Sequence, residues 1–193
     1  MSKVGVLALQ GDFAEHLDSL KALGVDAREV RLPEHLADLD ALILPGGEST
    51  TISRLLDLYK ITEPLKAFAA SGRPVWGTCA GMILMATVIK ESPIHPLCLI
   101  DVTVWRNAYG RQVDSFEANL SVPRMGQAPF RGVFIRAPVI HRLGPGVEVV
   151  AALEDGSPVA ALQGKRLVSA FHPELTNDTR FHELFLSLTN HQR

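Results

Sequence analysis

The chain has 193 residues, of which 47% are hydrophobic, enough apolar material for one domain with a substantial core and too much for a disordered segment. Its 19 Lys and Arg are offset by 21 Asp and Glu, for a net charge of −2, and they form no basic stripe, which argues against nucleic acid as a partner. No apolar run approaches the roughly 20 residues of a membrane helix, and the N-terminus has no signal-peptide pattern, so a cytoplasmic soluble protein is expected.

Residues 4–10 form an apolar run without alternation, as in a strand covered on both faces. Asp12 follows as a helix cap, and that helix runs to Leu23 and stops at Gly24. A second strand is predicted over Asp26–Val30, and a third over Ala41–Leu44 ends in Pro45-Gly46-Gly47. Ser49 or Thr50 caps the next helix, and Pro64 suits the first turn of another. A fourth apolar run, closing on Pro74-Val75-Trp76, leads into Gly77-Thr78-Cys79-Ala80-Gly81 and a helix-like run over residues 82–86. This alternation implies a parallel, doubly wound sheet, whose ligand crevice lies beyond the carboxyl ends of its strands. Gly46-Gly47 and Cys79 both fall there.

After Leu97 the pattern becomes strand upon strand, over residues 97–104, 116–122, 133–137, 147–153, 158–163 and 166–171. Glu154-Asp155-Gly156-Ser157 and Gly164-Lys165 supply turns, so antiparallel strands add to the parallel set. Residues 179–190 close the chain as an amphipathic helix with Phe181, Leu184, Phe185 and Leu188 at helical spacing. The reading is one domain, residues 1–193: an α/β doubly wound three-layer sandwich with a mixed, mainly parallel central sheet.

Gly77 to Gly81 has the form of a nucleophile elbow, G-x-nucleophile-x-G on a strand-to-helix turn, with cysteine in the nucleophile position. The glycines allow the strained turn, and a helix N-terminus favours a thiolate. Taken alone, the motif favours a nucleophile, with a core cysteine beside helix-packing glycines as the lesser alternative for Cys79. Its partners are expected in Phe171-His172-Pro173-Glu174. Proline biases His172 toward an extended backbone, and residues two apart in an extended chain share a face. His172 can then act as base and Glu174 can orient it. Cys98 reads as a buried small hydrophobe. His182-Glu183-Leu184-Phe185-Leu186 misses the zinc pattern H-E-x-x-H because Leu186 replaces the second histidine. His16, His35, His95, His141 and His191 are scattered and expected to face solvent, so neither a metal nor another cofactor is called for.

The Cys79 elbow and the His172/Glu174 pair resemble the triad-type glutamine amidotransferases. The Leu7–Asp12 stretch, Pro45-Gly46-Gly47-Glu48-Ser49-Thr50-Thr51, the Arg106–Gln112 stretch and Phe171–Thr176 are similar to the glutaminase subunits of pyridoxal 5′-phosphate synthase. That resemblance spans the first strand to the last helix. It implies hydrolysis of L-glutamine to glutamate and ammonia through a γ-glutamyl thioester on Cys79. It also implies glutamine contacts by Gly47, Glu48, Ser49, Arg106, Ile135 and Arg136, and a role for Gln10 near the oxyanion loop or a partner interface. Backbone N–H groups of Gly47 and Ala80 are the candidate oxyanion hole. The implied partner is a (β/α)₈ synthase subunit, in a large complex around a dodecameric core. By themselves, Gly46-Gly47 is also a plain turn, and Arg106 and Arg136 are also solvated surface charges. The glutaminase of another amidotransferase and a non-catalytic regulatory module on the same fold are the competing readings.

Overall fold

The computed structural model describes residues 2–106 and 115–189. A seven-stranded sheet forms its centre. Strands β1 (Lys3–Leu7), β2 (Asp26–Val30), β3 (Ala41–Leu44), β4 (Val75–Thr78) and β12 (Arg166–Ser169) are mutually parallel, in the order β12-β4-β3-β1-β2. Strands β11 (Pro158–Gln163) and β10 (Glu148–Ala152) extend the β12 edge in antiparallel fashion. β3 and β4 are buried at every residue, which is why their sequences are apolar without alternation.

Side-chain alternation along β4 sorts the helices onto two faces. Trp76 and Thr78 face α1 (Phe13–Ala22) and α5 (Arg180–Ser187): Trp76 packs against His16 of α1 and against Phe181, His182 and Phe185 of α5. Gly77 faces the other way, onto α4 (Ala80–Met85), against which α2 (Ser49–Leu58) packs. Helix α3 (Thr62–Ala70) contacts the 3-10 turn Pro33–Leu36. Two small sheets sit beside this framework. One joins β5 (Ala86–Lys90), β6 (Ile100–Trp105) and β9 (Val139–Leu143), and the other pairs β7 (Ser115–Leu120) with β8 (Phe130–Ile135). Phe116 and Phe134, register partners in that hairpin, stack at 4.5 Å.

The strands expected at 26–30, 41–44 and 158–163 match β2, β3 and β11, whereas the middle of the chain is organised differently. The helix-like run was expected to reach Ala86, where β5 begins, and no strand was expected over β5 or β9. β6 begins at Ile100 because the backbone of residues 97–99 instead bonds to residues 84–86. Cys98 is exposed, against expectation: with φ of 55° it turns outward while Leu97 and Ile100 are buried. The final helix spans Arg180–Ser187, and the expected Asn190 end lies outside the described residues. Among the described residues no helix is long and apolar enough to cross a membrane.

Candidate active site

Sheet order brings the distant motifs together. β4 lies between β3 and β12, with Thr78 opposite Ser169 and Gly77 opposite Leu44. Cys79 therefore leaves the sheet beside the chain leading to His172, and Gly46-Gly47 leaves it on the other side. β1 and β3 are neighbours although β2 follows β1 in sequence, so the winding reverses between them. A crevice opens at such a reversal. Its two lips are held together where the Asp12 N–H donates to the Gly46 carbonyl at 3.1 Å.

Cys79 has φ 47° and ψ −103°, a region few L-residues occupy, and immediately precedes α4. Its N–H is anchored by the Ser169 carbonyl at 2.8 Å. A Cβ on Gly77 would meet the Gly81 carbonyl carbon at 2.5 Å, so the two elbow glycines pack on one another. The Cys79 thiol is 4.0 Å from the Ile135 carbonyl oxygen.

His172 follows β12, fixed through its N–H to the Val133 carbonyl at 2.8 Å. Its Nδ1 bonds Glu174 Oε1 at 2.7 Å. The route differs from the extended chain expected: Pro173–Leu175 is a 3-10 turn, and the turn folds Glu174 back under the ring. With Nδ1 occupied, Nε2 is left for Cys79. Burial works against a charged ring, but hydrogen bonds to Cys79 and Glu174, and their charges, raise the His172 pKa to about 10. Burial in turn pushes Glu174 upward, with the His172 hydrogen bond and charge pulling the other way.

A pocket of about 410 Å³ opens over Cys79. Gln10, Gly47, Glu48, Ser49, Ala80, Arg106, Ile135 and Arg136 all line it, together with His172. Every expected glutamine-contact position thus borders one cavity, although 107–112 of the Arg106 stretch lie outside the described residues. Gln10 Oε1 accepts from the Glu48 N–H at 2.8 Å, tying the β1 loop to the β3 loop. The N-cap of α2 is Glu48, replacing the expected Ser49 or Thr50: its carboxylate accepts from the Thr50 and Thr51 N–H groups and from the Thr51 hydroxyl. It also pairs with Arg106 at 2.5 Å. Burial opposes ionisation of Glu48, yet the Thr51 and Thr50 hydrogen bonds and the Arg106 charge hold its pKa at about 2.

Four further groups were not read from the sequence. Asp12, expected as a helix cap, makes no cap bond, and its carboxylate lies 3.4 Å from His172 Nδ1. Gly46 makes room for catalysis-sized geometry, since a Cβ there would meet His172 Cε1 and, at 3.0 Å, Nδ1. His16 and His182 are completely buried behind Glu174, correcting the expectation of a solvent-facing His16. A doubled glycine hinted at Gly46; nothing in one sequence marks a lone helical histidine as buried. Asp12, His172 and Glu174 present ligand atoms within 4.8 Å of one another, but His172 and Glu174 already bond each other, the arrangement of an oriented base.

The chain matches the SNO glutamine amidotransferase family over residues 6–191. The pyridoxal 5′-phosphate synthase subunit PdxT of Herpetosiphon aurantiacus is 59% identical over 188 residues, covering 96% of this chain and 99% of that protein. The subunit PdxT of Chloroflexus aurantiacus is 55% identical with the same coverage. A crystal structure of a glutamine amidotransferase superposes with a TM-score of 0.90 at 54% identity, covering 96% of this chain and 98% of that one. By sequence and by fold alike, the chain belongs to the SNO glutamine amidotransferase family.

Proposed function

We propose that this chain is the glutaminase subunit of a pyridoxal 5′-phosphate synthase, hydrolysing L-glutamine and passing the ammonia to a synthase subunit. The observation that carries the chemistry is that Cys79 and His172 line one pocket while the buried Glu174 carboxylate bonds His172 Nδ1 from behind. In the step we assign, the Cys79 proton has already passed to His172 Nε2, and the sulfur attacks the glutamine δ-carbon beside the imidazolium. Glu174 holds the imidazolium through Nδ1. Negative charge gathers on the amide oxygen, where the N–H groups of Gly47 and Ala80 are our oxyanion-hole candidates. Collapse breaks the C–N bond, and His172 returns the proton to the departing nitrogen, giving ammonia and a γ-glutamyl thioester. Water then attacks the thioester carbonyl, with His172 again as base, and glutamate leaves as the thiol is restored.

Arg106 and Arg136 border the pocket at positions suited to a substrate carboxylate, which an arginine fork binds bidentately. Arg106 is already paired with Glu48, so glutamine would have to share or exchange that ion pair. Free ammonia protonates in water, which favours a docked acceptor. The partner we propose is a (β/α)₈ synthase subunit, with glutaminases arrayed around a dodecameric core.

The test is labelling by an electrophilic glutamine analogue alongside glutamate release by the assembled enzyme. Wild-type chain is expected to turn over glutamine and to be labelled at Cys79, and Cys79→Ala to do neither. Substantial turnover by Cys79→Ala, or a label on the exposed Cys98, would overturn the assignment.

A further inference from the structure

Behind the triad the buried polar groups continue. Glu174 Oε1 is used by His172, while Oε2, also buried, has no aligned hydrogen bond among the described residues and lies 3.4 Å from His16 Nε2. The same Nε2 is 3.2 Å from the hydroxyl of Thr78, the residue before the nucleophile. On its far side, His16 Nδ1 is 3.0 Å from His182 Nε2. Among the described residues, His182 Nδ1 is buried without a partner. Trp76 packs edge-on against both imidazoles, at 5.5 Å and 5.0 Å, so their planes are held.

Only one proton can occupy the contact between the two rings, and each choice has consequences at both ends. If His16 Nδ1 carries it, His16 Nε2 turns a lone pair toward the Glu174 carboxylate. His182 must then hold its own proton on Nδ1, a buried donor with nothing to receive it. If His182 Nε2 carries it, His16 keeps its proton on Nε2, facing Thr78 Oγ1 and Glu174 Oε2. The orphan is then a bare acceptor on His182, the less costly kind. Neither ring is suited to a second proton: burial lowers His182 to about 4, and burial with the fields of His182 and His172 lowers His16 far below its usual range.

We infer that His16 and His182 are positioning residues for hydrolysis: a neutral imidazole pair, locked in one tautomer, that presents the His16 Nε2–H to the second oxygen of Glu174 and so keeps it ionised and aligned under His172. This deepens the glutaminase reading and rests on it. The groups facing Glu174 are His172 Nδ1 and His16 Nε2, with Asp12 adding a repulsive field. Removing the His16 donor leaves that field and the burial unopposed on one side, so the carboxyl protonates at higher pH.

Two measurements test this. Ring-nitrogen NMR of the isolated chain should show both histidines neutral and protonated on Nε2 between about pH 5 and pH 8. In the assembled enzyme, His16→Leu should lower kcat at least about tenfold with KM within about threefold, and move the acid limb of the kcat profile upward. His16→Gln, whose amide can donate to Glu174 and accept from His182, should recover kcat to within about threefold of wild type. His182→Met should release His16 into mixed tautomers and give an intermediate loss. A proton on His16 Nδ1, a His16→Leu enzyme with unchanged kcat and acid limb, or a His16→Gln enzyme as impaired as His16→Leu would overturn the inference. If His16→Leu does not fold, the spectrum and His16→Gln still decide. A wild-type complex inert to glutamine would refute the glutaminase reading, and the spectrum would still judge the tautomer.

Discussion

At the scale of single residues, Gly46 decides where His172 can stand. Its missing side chain is the space occupied by the imidazole edge. Gly46→Ala is therefore expected to displace the ring and lower kcat by about 100-fold or more, while KM changes little because the substrate wall over Glu48 and Arg136 is untouched. Steady-state kinetics of the assembled enzyme would check this, and near-normal kcat would mean the ring has room to spare. His172 also sets an alkaline limit. Its pKa is raised from 6.5 to about 10 in the fold, so the stabilisation from its contacts is fully present below 6.5 and is lost as pH rises through about 10. An imidazole without its proton cannot return one to the leaving nitrogen. The kcat/KM profile is accordingly expected to fall only toward about pH 10; a descending limb centred near pH 7 would show that Cys79 and Glu174 do not hold the imidazolium. The nucleophile, base and carboxylate were legible because each sits in a short motif with its own chemistry. Asp12, His16 and His182 were not, because they reach the site through packing between elements.

Among the elements, α2 shows how a loop can serve both folding and the pocket. Glu48 caps the helix and pairs across the cavity mouth with Arg106. Glu48→Ala is expected to cost about 1 kcal/mol at neutral pH, the usual effect of a lost cap. Because the folded-state pKa of Glu48 is depressed to about 2 from 4.5, the wild-type advantage should be present above 4.5 and fade as pH falls through about 2. Denaturant unfolding at a series of pH values checks this, and a difference that persists undiminished into strong acid would contradict it. The sequence placed the cap one or two residues late because serine and threonine are the more common caps; Glu48 wins here through two backbone N–H groups and one hydroxyl. β3 was legible to the residue, since burial on both faces writes itself as an unbroken apolar run, whereas the run over residues 4–10 overshot the end of β1 at Leu7. In the excursion from β5 to β9, β6, β7 and β8 were legible only with shifted bounds, and β5 and β9 were missed. These strands pair in small sheets, so their bounds depend on partners that a linear pattern does not reveal.

For the whole molecule, we predict that the ammonia-producing site is activated by docking of an acceptor subunit. The β1 and β3 loops that frame the crevice are joined by the Asp12-to-Gly46 and Glu48-to-Gln10 hydrogen bonds, so a movement of one is transmitted to the other. Gly47 lies between those ties with φ of 148°, and a Cβ on it would meet Gln10 Oε1 at 2.5 Å. The peptide we propose as an oxyanion donor thus sits on a glycine crowded by a side chain from the neighbouring strand end. Docking of a synthase subunit against this face could supply the energy to set that peptide. On this account the isolated chain hydrolyses glutamine weakly, and adding the synthase subunit raises kcat/KM at least about tenfold, equivalent to roughly 1.4 kcal/mol off the barrier. Gly47→Val, strained in this conformation and crowded by Gln10, should lose that activation even when it still assembles. Hydrolysis assays with and without partner, paired with sedimentation to verify assembly, separate the possibilities. Equal kcat/KM for the free and assembled wild-type chain would defeat the gating account while leaving the triad standing.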